Sequence, residues 1–385
     1  MVNLNSTIIS GAGALNAIDP LLADKRAILL VSDKNIITLA PVQQLMKQLG
    51  ASGRTLHIVD SVPPEPSQHN VQHIVAKLNG VQPDMVVGIG GGSVLDVAKL
   101  LSVLCHSQAP GLDELLAGEK PTQRLASLLI PATAGTGSEA TPNAILAIPE
   151  RETKVGIISP VLLPDYVALF PELTTSMPPH IASSTGIDAL CHLIECFTAT
   201  IATPVSDNYA LQGMHKLFRA IIPAVREPGN LVAKLEMLWA SYYGGAAILH
   251  AGTHLVHAMS YPLGGKYHLP HGVANAILLA PCMRFIRPAA VDKFAQVWDL
   301  IPGADQHLSN EEKSHALVAW FSALVKELKL PDNLETLGIT PDNIPDLVDG
   351  ALNVQRLMKN VPCAVSAADV QSIYQTLFPQ GVKNA

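Results

Sequence analysis

The feature that most constrains the fold is an alternation of short strand-like runs with helical segments through the first half of the chain. The runs are rich in Val, Ile and Leu, as expected for buried strands. They span 27–32, 54–59, 84–89 and 125–130, with helical segments at 42–49 and 71–78. Strands that alternate with helices pair in parallel, because each helix carries the chain back to the starting edge of the sheet. We therefore predict an α/β domain with a parallel sheet covered on both faces.

The character of the sequence changes after Pro178 and Pro179. Just before this point, 144–148 and 154–158 flank the charged segment PERET and are typical of a β-hairpin. Beyond it the chain is rich in Ala, Leu and Met, which favour helix. A chain of 385 residues also exceeds the usual size of one hydrophobic core. We predict an α/β domain over residues 1–176 and an all-α domain over residues 177–385.

A glycine-rich turn follows the third strand-like run. The sequence MVVGIGGGSVLDVAK places Gly90, Gly91 and Gly92 after the run and Ser93 at the start of a helix, where we predict it to be the N-cap. Glycine lets the backbone approach an anion, and a helix N-terminus attracts negative charge. The turn predicts a phosphate-binding site, although a tight strand-to-helix turn needs glycine for steric reasons alone.

Two further stretches follow strand-like runs at the same expected edge of the sheet. In PATAGTGSEATPN, residues 131–143, the hydroxyls of Thr133, Thr136 and Thr141 suit hydrogen bonds to phosphate, ribose or amide groups, unless this is an ordinary polar loop. Asp33 follows the first run, where a carboxylate accepts hydrogen bonds from a ribose diol and repels a 2′-phosphate. This position favours NAD over NADP, and the alternative is that Asp33 caps a helix.

Acidic and histidine residues of the second half form a candidate metal site. Asp188 and His192 are four residues apart, so a helix places both on one face. The stretch Thr253–Gly272 contains four histidines around a turn broken by glycine and proline. Both segments are otherwise apolar, so a bound cation would remove the cost of burying these polar groups. Which histidines complete a set of four ligands stays open, and a paired or solvated side chain is the alternative at each position.

Composition and charge argue against several classes of protein. The formal net charge is −7 and the Lys and Arg residues are dispersed, so no basic stripe suits nucleic acid. Apolar runs fall far short of the roughly 18 residues of a membrane span. The N-terminus lacks the pattern of a secretory signal, and five scattered cysteines without a CxxC pair favour reduced thiols. We expect a soluble, cytoplasmic protein that acts on a small molecule.

The assembled motifs resemble those of the iron-dependent (group III) alcohol dehydrogenases over essentially the whole chain. The matching stretches are GAGAL, PPEPS, GGGSVLDVAK, PATAGTGSEAT, TGIDALCHLIE and LVHAMSYPLGGKYHLPHGVANAILL. The resemblance implies the dehydroquinate synthase-like fold, an α/β dinucleotide-binding domain followed by a helical metal-binding domain, and a homodimer. The implied NAD contacts are Asp33, Gly91, Gly92, Ser93, Asp96, Thr133, Thr136, Thr141 and Lys154, and the implied metal ligands are Asp188, His192, His257 and His271.

The resemblance also separates histidines that spacing leaves equivalent. His250, His254 and His257 lie at helical spacing, so any of them could share a face with the site. The family pattern selects His257 and leaves His254 beside the site. Where many members carry a histidine one turn later that helps to move the proton, this chain has Tyr261. Tyr261 and His254 are therefore our candidate catalytic residues for proton release.

These observations predict a metal-dependent oxidoreductase that transfers a hydride between NAD(H) and a small primary alcohol or its aldehyde. Fe²⁺ follows from the resemblance, whereas the ligand types suit Zn²⁺ equally. One alternative is a hydroxyacid-oxoacid type dehydrogenase or transhydrogenase with a substrate like 4-hydroxybutyrate, because MSYP around Tyr261 is similar to that branch of the superfamily. Another is a lyase of the dehydroquinate synthase type, which requires metal and NAD but forms no net NADH.

Overall fold

The computed structural model of the protein describes residues 6–151 and 153–378, with the backbone alone at 151 and 153. The strands are β1 (Thr7–Ser10), β2 (Ala27–Val31), β3 (Thr55–Val59), β4 (Met85–Gly90), β5 (Ala126–Pro131), β6 (Asn143–Ile148), β7 (Thr153–Ile158) and β8 (Tyr166–Leu169). The helices of the first half are α1 (Ala40–Leu49), α2 (Gln68–Lys77), α3 (Gly92–Leu104) and α4 (Leu112–Leu116).

Six strands form one parallel sheet in the order β1-β8-β5-β4-β2-β3. The chain runs outward from β2 to β3 and then returns to β4 on the other side of β2, so the strand order reverses there. In open α/β sheets, ligands bind outside the carboxyl ends of the strands at such a reversal. The predicted parallel α/β domain is confirmed, and the glycine-rich turn after β4 lies at the reversal.

The side chains of β2 show why the sheet is buried on both faces. Leu29 and Val31 pack in one hydrophobic cluster with residues of α3, whereas Ile28 and Leu30 pack in another with residues of α1. Successive side chains of a strand point to opposite faces. An uninterrupted apolar run therefore forms a strand covered by helices on both sides, as predicted.

The predicted strands are all present, each shifted by at most one residue at either end. The predicted hairpin is present as β6 and β7, which pair antiparallel with Asn143 opposite Ile158. The sequence analysis missed β1 and β8, which are neighbours in the sheet. Each has only four residues, which is too short for a pattern of apolar residues to stand out.

The second half is helical, as predicted, and no strand occurs between Met177 and Phe378. Its helices are α5 (Pro179–Thr198), α6 (Pro204–Arg226), α7 (Leu231–His250), α8 (Leu255–Tyr267), α9 (His271–Ile286), α10 (Val291–Trp298), α11 (Asn310–Glu327), α12 (Ile344–Leu352), α13 (Gln355–Met358) and α14 (Ala367–Gln375). Among the described residues, no helix has both the length and the apolar character needed to cross a membrane.

The chain divides into two compact units, and one segment returns to the first of them. The first unit contains Met1–Met177 together with Pro228–Gly245, and the second contains Pro178–Glu227 and Ala246–Ala385. Most of α7 therefore belongs to the first unit. The assignment of domains to 1–176 and 177–385 stays a prediction, and it did not anticipate this return.

Candidate metal centre and nucleotide-binding turn

Four side chains from three helices of the second unit converge on one point. Asp188 and His192 lie one turn apart on α5, His257 lies in α8, and His271 begins α9. Asp188 Oδ1 lies 3.9 Å from Nε2 of His192, 3.6 Å from Nε2 of His257 and 3.5 Å from Nε2 of His271. Metal–ligand bonds of about 2.1 Å in a tetrahedral site set neighbouring ligand atoms about 3.4 Å apart. The four predicted ligand residues are therefore spaced as one divalent cation requires.

Asp188 supplies the negative charge of this group. Its side chain is 4% exposed. Burial raises the pKa of the carboxyl, but the neighbouring imidazoles of His192, His271 and His257 together lower it more, so the net pKa lies well below its ordinary value. The carboxylate therefore stays ionised. One carboxylate and three imidazoles form a donor set that divalent transition metals bind.

The side-chain amide of Asn275 lies among the four ligand residues. Its Nδ2 donates to Asp188 Oδ1 at 2.7 Å and lies 3.2 Å from Nε2 of both His257 and His271. Asn275 Oδ1 is buried and has no hydrogen-bond partner among the described residues. The space between the ligand atoms thus accommodates a group of positive polarity, which agrees with binding a cation there.

Gly272 allows α9 to bring His271 to this site. A Cβ atom at residue 272 would lie 2.3 Å from the carbonyl oxygen of Ser184 on α5. This is too short for any carbon–oxygen contact, so only glycine permits the two helix backbones to approach so closely. Because His271 is the neighbouring residue and the first of the helix, this approach sets the position of its ring.

Glu195 is a functional residue that the sequence analysis missed. It follows His192 by one turn of α5 and is fully buried. His257 Nδ1 donates to Glu195 Oε2 at 2.5 Å, and the N–H of Val256 donates to Glu195 Oε1 at 2.6 Å. A proton held on Nδ1 leaves the lone pair of a neutral imidazole on Nε2, the atom that lies near Asp188. Glu195 therefore fixes both the orientation and the tautomer of His257 for binding a metal.

The predicted helical relation between His250, His254 and His257 is wrong. Helix α7 ends at His250 and α8 begins only at Leu255, so the three residues do not lie on one helix. Residues 251–254 between the two helices are not helical, and Gly252 in this stretch favours such a break because the backbone of glycine is the least restricted. Spacing alone does not detect an interruption of this length.

His254 is buried beside Glu195. It is the N-cap residue of α8, where its Nδ1 accepts the N–H of Leu255 at 2.7 Å. The same nitrogen lies 3.2 Å from Glu195 Oε1, and Nε2 lies 2.9 Å from Thr198 Oγ1. Burial lowers the pKa of His254, although the charge of Glu195 opposes this. Its role in proton release stays a prediction.

Tyr261 borders the metal centre on its more exposed side. It lies one turn after His257 on α8, and its ring centroid is 6.5 Å from that of His271. Tyr261 is 37% exposed. Burial raises the pKa of its phenol more than Arg356 lowers it, so the hydroxyl stays protonated at neutral pH. A catalytic role for this hydroxyl stays a prediction.

The turn after β4 differs from the prediction in its cap. Gly91 is the N-cap residue of α3, and Ser93 lies inside the first turn, so the prediction that Ser93 caps the helix is wrong. Gly90 and Gly92 both pack closely: a Cβ would lie 2.7 Å from Val94 at the first position and 2.7 Å from Thr136 at the second. Packing is thus a sufficient reason for glycine at these positions, whether or not the turn also binds a phosphate. The contacts of Gly91, Gly92 and Ser93 with NAD stay predictions.

The loop 131–143 lies against this turn. A Cβ at Gly91 would lie 3.6 Å from Thr133, and one at Gly92 would lie 2.7 Å from Thr136. The structure therefore brings the two threonines and the glycine turn together, at the carboxyl ends of β4 and β5. Their hydroxyls stay predicted contacts of NAD.

Two other predicted NAD contacts, Asp96 and Thr141, form hydrogen bonds with other residues of the first unit. Asp96 accepts the Ser138 hydroxyl at 2.5 Å and the N–H of Ile145 at 3.0 Å. Thr141 Oγ1 donates to the carbonyl oxygen of Ser138 at 3.2 Å and accepts Lys99 Nζ at 3.3 Å. These bonds hold the loop 131–143 on α3. Direct contact of either residue with NAD stays a prediction.

Replacing Lys99 with Met should loosen this loop. The Lys99 ammonium is fully buried, pairs with Asp96 at 2.9 Å and donates to the Ser138 carbonyl at 2.9 Å. Met leaves these oxygens without their partner, which costs about 3 kcal/mol of unfolding free energy. Urea denaturation measures this difference, and the exposed Lys47→Met serves as control with a change below about 0.5 kcal/mol. Equal stability of the two variants would contradict this account of the loop.

Asp33 and Lys154, the remaining predicted NAD contacts, both have protein partners. Asp33 Oδ1 accepts the N–H groups of Asn35 and Ile36 at 2.8 and 3.0 Å. These bonds close a turn at the carboxyl end of β2, beside the strand-order reversal. They support the start of the short 3-10 helix Ile36–Thr38, but the N-cap residue of that helix is Asn35, not Asp33. Lys154 Nζ donates to Glu65 Oε1 at 2.8 Å. The roles of both residues toward NAD stay predictions.

Two family models match nearly all of the described chain. One, described as iron-containing alcohol dehydrogenase, matches residues 5–171. The other, described as the C-terminal part of the Fe-containing alcohol dehydrogenase family, matches residues 182–378 and so includes all four ligand residues. The chain belongs to the iron-containing alcohol dehydrogenase family. The resemblance inferred from the motifs is thereby confirmed.

Individual relatives of this alcohol dehydrogenase match it over nearly their whole length. Long-chain-alcohol dehydrogenase 1 of Geobacillus thermodenitrificans is 34% identical, covering 96% of this chain and 94% of the relative. The solved structure of 1,3-propanediol oxidoreductase matches with a TM-score of 0.91 at 28% identity, covering 98% of this chain and 100% of the other. Sulfoacetaldehyde reductase from Bifidobacterium kashiwanohense, solved in complex with NAD+, matches with a TM-score of 0.89 at 26% identity, covering 99% of each chain. The predicted two-part fold is confirmed.

Proposed function

We propose that this iron-containing alcohol dehydrogenase uses NAD and one divalent cation to interconvert a small primary alcohol and its aldehyde. Fe²⁺ is the cation that the family indicates, and Zn²⁺ suits the same donors. The observation that carries the proposal is the convergence of Asp188, His192, His257 and His271 on one buried point. Relatives named for long-chain alcohols, sulfoacetaldehyde and lactaldehyde support the reaction class.

When bound, the cation supplies a Lewis acid for the alcohol oxygen, and NAD supplies the acceptor of the hydride. The four ligand residues hold the cation, and Glu195 keeps the proton of His257 on Nδ1, so that Nε2 can donate its lone pair. In the first unit, N–H groups at the start of α3 bind the pyrophosphate, and the hydroxyls of Thr133 and Thr136 add hydrogen bonds. A related reductase was solved in complex with NAD+, which supports NAD as the cofactor.

Release of the alcohol proton needs a group with access to solvent. Tyr261 is 37% exposed and close to His271, whereas His254 is fully buried and engaged with Thr198 and Leu255. We therefore assign a proton relay to the Tyr261 hydroxyl, which would accept the alcohol proton as it gives its own proton to water, and so would return to the neutral phenol. His254 then acts through Glu195, whose carboxylate lies between it and His257.

We further propose that the enzyme is a cytoplasmic homodimer. Its five cysteines are all free thiols, which favours a reducing compartment. β1 pairs with β8 along one edge, and its other edge supplies backbone groups with which a second copy could pair. Light scattering on the purified protein tests the dimer, and cell fractionation tests the compartment.

The proposed reaction is tested by loading the protein with Fe²⁺ or Zn²⁺, adding NAD and following the absorbance of NADH across primary alcohols, diols and hydroxyacids. We expect NADH to form in proportion to the loaded protein, with a strong preference for NAD over NADP. Absence of NADH across the whole panel, with metal shown to be bound, would refute the dehydrogenase. Consumption of a substrate without net NADH would indicate a lyase instead.

A further inference from the structure

The proline segment PPEPS, residues 63–67, bridges two neighbouring elements of the first unit. The N–H of Glu65 donates to Ser93 Oγ at 3.2 Å, and the N–H of Ala147 on β6 donates to the carbonyl oxygen of Pro66 at 3.0 Å. Ser93 lies in the first turn of α3, to which the proposed function assigns the pyrophosphate of NAD. Glu65 is therefore a direct neighbour of the proposed phosphate site.

Glu65 forms an ion pair with Lys154 on β7. Lys154 Nζ donates to Glu65 Oε1 at 2.8 Å, and the side chains of Lys154 and Glu65 are 35% and 45% exposed. Within residues 6–151 and 153–378, neither side chain forms a second ion pair. Lys154 is also a predicted contact of NAD, so the cation that would meet the cofactor already has a carboxylate partner.

The backbone at Glu65 does not explain why a glutamate stands there. Its φ is 50°, in the left-handed region. Glycine adopts this conformation freely, and asparagine adopts it more readily than other residues with a side chain. Glutamate is thus a poor choice for the turn itself. We therefore look to the contact that its carboxylate makes, which is the one with Lys154.

A carboxylate in this position acts in two ways on an anion that binds at the start of α3. Its own charge repels the anion, and it neutralises the charge of Lys154 that would attract the anion. Both effects weaken the attraction that the N–H groups and the dipole of α3 exert on a phosphate. Because both side chains are partly exposed, water screens the effect and keeps it moderate.

We propose that Glu65 is an internal counter-ion that competes with the pyrophosphate for Lys154, so that the enzyme binds NAD and NADH less tightly and releases them faster. This inference rests on the proposed function and adds a residue that sets the affinity for the cofactor. When the pyrophosphate binds, Lys154 Nζ is shared between a phosphate oxygen and Glu65. When the cofactor leaves, Glu65 again holds Nζ alone.

Glu65→Gln tests the proposal, because it keeps the shape of the side chain and removes its charge. Titration calorimetry of the metal-loaded enzyme with ADP-ribose, which has the pyrophosphate but no nicotinamide ring, should show binding about three- to fivefold tighter than in the parent protein. Stopped-flow fluorescence should show NADH leaving the variant more slowly by a similar factor. High salt should reduce both differences, because it screens exposed charges.

Glu119→Gln is the matched control, because Glu119 is an exposed glutamate of the same unit and its loss changes the net charge equally. It should leave both measurements unchanged. Unchanged or weaker binding of ADP-ribose in Glu65→Gln, or the same gain in Glu119→Gln, would overturn the inference while leaving the dehydrogenase intact. Absence of ADP-ribose binding in the parent protein would instead refute the nucleotide site itself, and with it this role of Glu65.

Discussion

His257→Ala should lower the affinity for Fe²⁺ or Zn²⁺ by more than about 100-fold. Loss of a residue that only hydrogen-bonds to a metal ligand typically lowers the affinity about 10- to 100-fold, and loss of the ligand itself should cost more. The ring is 4% exposed, and its Nε2 lies 3.6 Å from Asp188 Oδ1. Alanine therefore removes one of four donors and leaves Glu195 without the ring that it holds. Elemental analysis after dialysis against a weak chelator measures retained metal, and NADH formation should fall with it.

His250→Ala is the control for this experiment. His250 ends α7, and its ring stacks on Tyr209 with centroids 6.1 Å apart, away from the ligand set. It should retain metal like the parent protein. If His250→Ala lost the metal while His257→Ala kept it, the assignment of the ligands would be wrong.

Glu195→Gln should weaken metal binding about 10- to 100-fold, although Glu195 is not itself among the four ligand residues. Gln has nearly the same shape but no charge, and its amide can present a donor to His257 Nδ1 where the carboxylate can only accept. The ring then loses the constraint that keeps the proton on Nδ1. Titration with Zn²⁺ against a competing chelator measures the change, while circular dichroism confirms the fold.

Excess Zn²⁺ should restore much of the activity of Glu195→Gln, because the four ligand residues are still present. Glu335→Gln, an exposed glutamate of the same unit, should bind metal normally. Unchanged metal affinity in Glu195→Gln would show that His257 is held by its helix alone.

The metal centre was only partly predictable from the residues. Asp188 and His192 show the spacing of one helical face, so their pairing follows from local geometry. His257 and His271 lie in separate helices, and only the family pattern distinguished them from His254 and His268. Glu195 carried a usable signal that was overlooked: it lies seven residues after Asp188, two turns along the same face of α5.

The sequence predicted the strands that form long apolar runs. It did not predict the features that depend on contacts between residues far apart in the chain. Strands β2 to β5 are mostly apolar and were found, whereas the short strands β1 and β8 are defined by their pairing with each other at one side of the sheet. The close packing of Gly92 against Thr136 joins two residues that lie far apart in the sequence, so the local pattern does not reveal it. The return of Pro228–Gly245 to the first unit depends likewise on contacts that helical periodicity does not reveal.

The membership of Pro228–Gly245 in the first unit decides which fragments of the enzyme can be expressed separately. The N–H of Gly137 donates to Ser241 Oγ at 3.1 Å, and a Cβ at Gly245 would lie 2.1 Å from the Gly137 carbonyl oxygen. A fragment truncated after Met177 would lack both residues and expose the loop that they cover. Expression of the nucleotide-binding half as an independent piece therefore requires the α7 segment to be supplied as well, by a grafted linker or by co-expression.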